Sequence, residues 1–161
     1  MPLLRRLLTL VALACVASVA AALFAQHHWG MQPCPWCILQ RILFLLIALL
    51  AGLGALAPGR LLPALLSWLI VPAAASGVAA AWYQHFVAAK TNSCNLTLAD
   101  RIISGLHLDT SLPEAFEVRA SCADATANLL GVPFEFWSLA LFLVLAVVGV
   151  WCALRAHRAP S

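Results

Sequence analysis

Cys34-Pro35-Trp36-Cys37 is a C-x-x-C pair, and Cys94 and Cys122 offer a second pair with 27 residues between them. Paired thiols can staple a chain, hold a metal or exchange disulfides. As a staple the C-x-x-C is poor, because closing so short a loop removes little chain entropy. As a metal half-site it needs two more ligands. His27, His28 and Met31 precede it, so a copper or zinc site built from His27, His28, Met31, Cys34 and Cys37 is a rival reading, and Cys94 and Cys122 could also complete a four-thiolate site. Redox exchange fits the surroundings better. Pro35 suits a helix start, which places Cys37 in a first turn, where a helix N-terminus stabilises a thiolate. Arg41 follows four residues later, on the same helical face one turn deeper.

An arginine there has two readings. It can snorkel to lipid headgroups, or it can favour the Cys37 thiolate and donate hydrogen bonds to an oxygen of a lipid-borne acceptor. The same charge repels a divalent metal. Electrons leaving a thiolate at a membrane edge need a sink, and a quinone dissolved in the bilayer supplies one.

The elements that must position these groups are membrane helices. Of 161 residues, 64% are hydrophobic and 9% charged, against about 25% charged in soluble domains. This excludes a water-soluble domain and a disordered chain, and a net charge of +3 with scattered arginines excludes a nucleic-acid binder. Uncharged stretches of 34, 18, 29 and 19 residues follow Arg6, Arg41, Arg60 and Glu135. A spanning helix needs about 20 apolar residues. We expect one all-α membrane domain, a bundle of four spans at about 7–26, 36–56, 62–83 and 134–154. Outer loops fall at about 27–35 and 86–133, and Gly and Pro in the first mark it as a short loop. Arg5, Arg6, Arg60, Arg155 and Arg158 share one side with no acids, so the positive-inside rule puts both termini in the cytoplasm. A cleaved signal peptide is the rival reading of the N-terminus, but a retained first helix accounts for all five arginines.

The four chemically interesting cysteines then face the oxidising side, where disulfides persist, with three possible connectivities. Cys15 and Cys152 fall inside spans and read as small buried hydrophobes. Leu98, Ile102, Ile103 and Leu106 share a helical face, which predicts a short amphipathic helix in the long loop, lying on the membrane or on the bundle top. Pro72 should kink the third span. Trp36 reads as a helix anchor. Glu135 reads as a residue of the outer mouth with no assigned role.

The ordered set resembles the DsbB family of disulfide bond formation proteins. Its members carry the C-x-x-C followed by Arg41 in Cys34-Pro35-Trp36-Cys37-Ile38-Leu39-Gln40-Arg41, then Trp82-Tyr83-Gln84-His85 closing the third span. Cys94 and Cys122 follow, and Leu129-Leu130-Gly131-Val132-Pro133 runs into Trp137. The resemblance implies a bacterial inner-membrane thiol:quinone oxidoreductase. It implies that Cys94 and Cys122 form the disulfide that accepts electrons from a periplasmic DsbA-type protein, with Cys94 making the mixed disulfide. Cys122 would then attack Cys34, and Cys37 would pass electrons to ubiquinone or menaquinone held with the help of Arg41 and His85. One departure stands beside Arg41: Gln40 occupies a position where some relatives carry an acid.

Overall fold

Leu, Ala, Val and Ile dominate the uncharged stretches, and each stretch becomes a helix that satisfies its own backbone, as a chain in lipid must. The computed structural model describes residues 2–90, 97–125 and 128–158. In chain order they form α1 (Pro2–Trp29), α2 (Pro35–Leu56) and α3 (Leu61–Phe86), then a 3₁₀ turn at Ala88–Lys90. The long connection holds α4 (Leu98–Gly105), α5 (Leu108–Ser111), α6 (Pro113–Phe116) and a hairpin of β1 (Asn128–Leu129) with β2 (Val132–Pro133). It leads into α7 (Phe134–Arg158). Helices α1, α2, α3 and α7 are each long and apolar enough to cross a membrane.

The four long helices alternate in direction. Arg5 Nη2 at the start of α1 donates to the carbonyl of Ala57, just past the end of α2, at 3.3 Å. Trp68 Nε1, early in α3, donates to His157 Nε2, late in α7, at 3.4 Å. Helix α3 packs extensively on α7, α2 packs on both α1 and α3, and α1 touches α7 only sparsely. The bundle is therefore open along one seam, between α1 and α7. Its core holds Leu8, Cys15, Ile47, Ile70, Leu145 and Cys152, with Phe44 and Phe142 stacked at 4.0 Å. Gly77 lets α3 approach the Phe142 ring so closely that a Cβ there would enter the ring, a use of small residues typical of membrane helix contacts. Leu13, Leu49, Leu65 and Val147 point outward, where lipid tails take the place of water.

Helices α1 and α3 outrun their expected bounds, and the loop helix takes one of its two expected places. Helix α1 runs to Trp29 and carries His27 and His28 within it. Histidine does not break a helix; Gly30, at φ +66°, does. The first connection shrinks to residues 30–34 as a result. Helix α3 runs three residues past the expected end of its span, to Phe86, and holds Pro72 inside it on an exposed position. Helix α4 does form, opened by a capping box between Thr97 and Asp100. Its Ala99 and Ile103 are buried on the bundle top, while Leu98 and Leu106 stay exposed. It therefore sits on the bundle and still presents an apolar edge outward.

Candidate functional site

Cys34 caps α2 in an extended conformation, with Pro35 opening the helix. Its Sγ accepts the Cys37 N–H at 3.3 Å and lies 2.8 Å from Cys37 Sγ. Cys122 reaches the same sulfur from the long connection and also accepts the Trp36 N–H. Backbone geometry holds it there: the N–H groups of Arg119 and Ala120 donate to the Pro33 carbonyl at 3.1 and 3.3 Å. The connection is thus clamped across the C-x-x-C, and Cys34 sits between Cys37 and Cys122. All three are free thiols in this structure. Cys94 lies outside the described residues.

The sulfurs differ electrostatically. The hydrogen bond with Cys122, then that with Cys37, then burial, push the Cys34 thiol up. The same bond with Cys34 pulls Cys122 below the ordinary thiol range, helped by the Trp36 N–H and opposed by burial and by the charge of Cys37. Of the two, Cys122 is the more readily ionised, and the thiolate is the attacking species.

Beneath the sulfurs runs a polar seam that is nearly closed to solvent. Gln84 Nε2 donates to Cys37 Sγ at 3.3 Å, and Gln40 Nε2 donates to Gln84 Oε1 at 2.7 Å. Arg41 is only 6% exposed. Its Nη1 donates to Gln26 Oε1 and to the Ala115 carbonyl, both at 2.8 Å. The guanidinium therefore turns inward and does not snorkel. Gln26 Nε2 in turn donates to the Glu114 carbonyl at 3.0 Å.

Cys37, Gln40, Arg41 and Gln84 form the polar end of a cavity of about 370 Å³ between α1 and α7. Ser18, Ala22 and Ala25 of α1 wall one side, and Phe134, Ser138 and Leu141 of α7 the other. Cys37, Gln40, Arg41 and Gln84 line its α2–α3 face. Glu135 lines it too, 7% exposed. Glu135 stands in the first turn of α7, at the outer end expected for it, with its side chain in the cavity wall. His85 is not among the lining residues. Its Nδ1 lies 2.7 Å from Glu135 Oε1, and its ring packs on Phe86 and Phe136. Trp36 is buried, its ring 4.7 Å from that of Tyr83.

The rival metal set is not assembled. His27 Nδ1 lies 2.8 Å from the Leu23 carbonyl and Nε2 lies 3.2 Å from Glu114, and the His28 ring stacks on Phe24. Among the described residues no group of three or more His, Cys, Asp and Glu is arranged to hold an ion.

A trio of neighbouring thiols beside a buried arginine and an apolar cavity between spanning helices is an arrangement suited to moving electrons from disulfide exchange into a membrane. The comparisons with known proteins agree with it. Residues 4–152 match the family model described as "Disulfide bond formation protein DsbB". The chain belongs to the DsbB family. It is 35% identical over 157 residues to disulfide bond formation protein B 1 of Pseudomonas savastanoi pv. phaseolicola, covering 97% of this chain and 93% of that one. Disulfide bond formation protein B of Burkholderia pseudomallei is 36% identical over 155 residues, covering 96% and 91%. That of Polaromonas sp. is 34% identical over 157 residues, covering 96% and 93%. As a DsbB-family member with four helices able to span a membrane, this is a multi-pass membrane oxidoreductase of disulfide bond formation.

Of the residues to which the sequence points, Cys34, Cys37, Cys122 and Arg41 come together, His85 stands behind the cavity wall on Glu135, and Cys94 is outside the described residues. Gln26, Gln84 and Glu135 join the site through contacts that the sequence does not display. A signal was available: polar side chains at the ends of apolar spans must find partners inside the bundle, since lipid offers none.

Proposed function

We propose that this DsbB-family chain is a thiol:quinone oxidoreductase that reoxidises a DsbA-type dithiol and passes the electrons to a membrane quinone. The observation that carries the reading is the position of Cys34, with Cys122 on one side and Cys37 on the other, beside an apolar cavity that Cys37 and Arg41 line. Cys94 attacks nothing first; as half of a Cys94–Cys122 disulfide it is attacked by the partner's thiolate and forms the mixed disulfide, releasing Cys122 as thiolate. Cys122 attacks Cys34 of a Cys34–Cys37 disulfide, which releases Cys37. The partner's second thiol then resolves the mixed disulfide and leaves oxidised. Cys94, released in that step, attacks Cys122 of the Cys34–Cys122 disulfide, restoring Cys94–Cys122 and freeing Cys34, so that each exchange forms one S–S bond and breaks one. Cys34 and Cys37 would then close their disulfide again as two electrons and two protons pass to the quinone.

The cavity suits a quinone in shape and chemistry. Its walls are largely apolar and belong to the spanning helices α1 and α7, and its polar end offers a guanidinium donor and a sulfur. A bound quinone, ubiquinone or menaquinone, supplies a two-electron, two-proton acceptor. Cys37 faces it, Arg41 places positive charge one turn deeper, and Glu135, held by His85, closes the α7 side. We place His85 as the support of Glu135 at this site. The clustering of Arg5, Arg60 and Arg155 at the end of the bundle away from the sulfurs supports cytoplasmic termini and cysteines facing the periplasm of a bacterial inner membrane.

The test is quinone reduction by the purified protein in detergent, given a reduced DsbA-type protein and ubiquinone or menaquinone. We expect quinone loss in step with thiol loss, and the faster of the two to name the quinone. Cys37→Ser should abolish turnover while Cys94 still traps the partner. No quinone loss with either, from folded protein and a DsbA-type partner of the same source, would overturn the reading.

A further inference from the structure

We propose that Gln84 is a positioning residue for the Cys37 thiolate, and that Gln40 serves to aim it. The inference rests on the reading of Cys37 as the sulfur that yields electrons, and goes beyond it by naming a second-helix device that sets its reactivity.

The geometry is specific. Gln84 projects from α3 and is buried, as is Gln40 from α2. A carboxamide has one donating and one accepting end, and either could face the sulfur. The Gln40 amide donates to Gln84 Oε1 at 2.7 Å, which occupies the accepting end. The donating end is then the one turned to Cys37, at 3.3 Å. A sulfur accepts more strongly as thiolate than as thiol, because hydrogen bonds to a charged acceptor are roughly twice as strong as neutral ones. Burial amplifies the difference, since no water competes for the bond.

The choice of amides over acids matters as much. Groups of several elements face Cys37: Cys34 and Arg41 from α2, Cys122 from the long connection, and across the cavity Glu135 from α7. Glu135 has His85 as its partner. A carboxylate at position 40 or 84 would add a negative charge in the seam and compete with the thiolate for Arg41. Two neutral amides leave that cation to the sulfur and still supply a donor. The pair also crosses from α2 to α3, so the reactivity of Cys37 depends on the register of those helices.

The experiment uses the full chain in detergent, reduced and stripped of quinone. Alkylation of Cys37 by iodoacetamide is followed across pH by peptide mass mapping, and each profile is normalised to its high-pH plateau to remove differences in access. Gln84→Met keeps length and loses the donor, Gln84→Glu replaces the donor with a charge, and Gln40→Leu removes the aiming bond. We expect the midpoint of Gln84→Met to rise by about one to two pH units, a roughly 10- to 100-fold loss of thiolate at fixed pH. Gln84→Glu should rise at least as far, and Gln40→Leu less. Gln40→Leu carries the test if the position-84 variants do not fold. Unmoved midpoints in the folded variants, or a rise in Gln84→Glu alone, would overturn the proposal. Because no quinone is present, that failure leaves the proposed reaction untouched, while failed quinone reduction with shifted midpoints would strike the reaction and spare the positioning role.

Discussion

Arg41 ties three parts of the molecule through one nitrogen. Its Nη1 bonds Gln26 of α1 and the Ala115 carbonyl of α6, while the side chain rises from α2. Arg41→Ala removes both bonds. Hydrogen bonds to a charged group contribute about 1.5–3 kcal/mol each, so the gross loss is roughly 3–6 kcal/mol. Water can reach the half-buried Ala115 carbonyl and recover part of it. Gln26 is buried and its oxygen stays unpaired, at a cost of about 1–3 kcal/mol. The α6 attachment should therefore weaken by about 1.5–3 kcal/mol. Amide exchange at Phe116 and Glu117, whose N–H groups bond to Leu112 and Pro113, should accelerate by roughly 10- to 100-fold. On the proposed function, the quinone Michaelis constant should rise by a similar factor, since the cavity loses its charged donor. Arg41→Lys keeps the charge but lacks the planar fork, so it should fall between the two in both measurements. Hydrogen exchange with mass spectrometry reads the first effect and steady-state quinone reduction the second. If Arg41→Ala left α6 exchange and the quinone constant as in the parent protein, Arg41 would be neither strut nor ligand.

Cys122 should alkylate with a midpoint below that of a free cysteine, its thiolate growing as pH rises through that lowered value. Cys34→Ala removes the hydrogen bond that lowers it most and leaves burial acting, so the midpoint should move up; pH-dependent iodoacetamide labelling decides. Gly77→Ala should destabilise the bundle by about 1–3 kcal/mol through overpacking on Phe142. Gly52→Ala, which meets nothing within 4 Å, should be neutral or stabilising by up to about 1 kcal/mol, and thermal unfolding in detergent compares them. Glu135→Ala and His85→Ala should weaken quinone use to similar extents, and the double variant should do little more than either, because the two act as one bonded unit. Additive losses would show that His85 acts separately.

The long uncharged stretches were enough to expect four spanning helices, because lipid forces every backbone group into a helix and tolerates few charges. The C-x-x-C with Arg41 was legible for a local reason: helix periodicity places residue 41 beneath residue 37 whatever the rest of the chain does. The ordered motifs resembling the DsbB family carried the reaction class. Even α4 could be read from the spacing of Leu98, Ile102, Ile103 and Leu106, although not which of its faces would be buried.

What the sequence could not disclose were contacts between helices far apart in the chain. Nothing local to Gln84 says that it meets Gln40 and Cys37, or to Gln26 that it meets Arg41. Glu135 looks like a solvated acid beside a span until α3 brings His85 to it. The seat of Cys122 against Cys34 depends on two backbone bonds to Pro33 that no spacing rule foresees. Apolar periodicity determined the helices and local register determined the C-x-x-C–arginine unit. The partners of the buried polar groups, and the open seam between α1 and α7, were decided only when packing fixed how the four helices face one another.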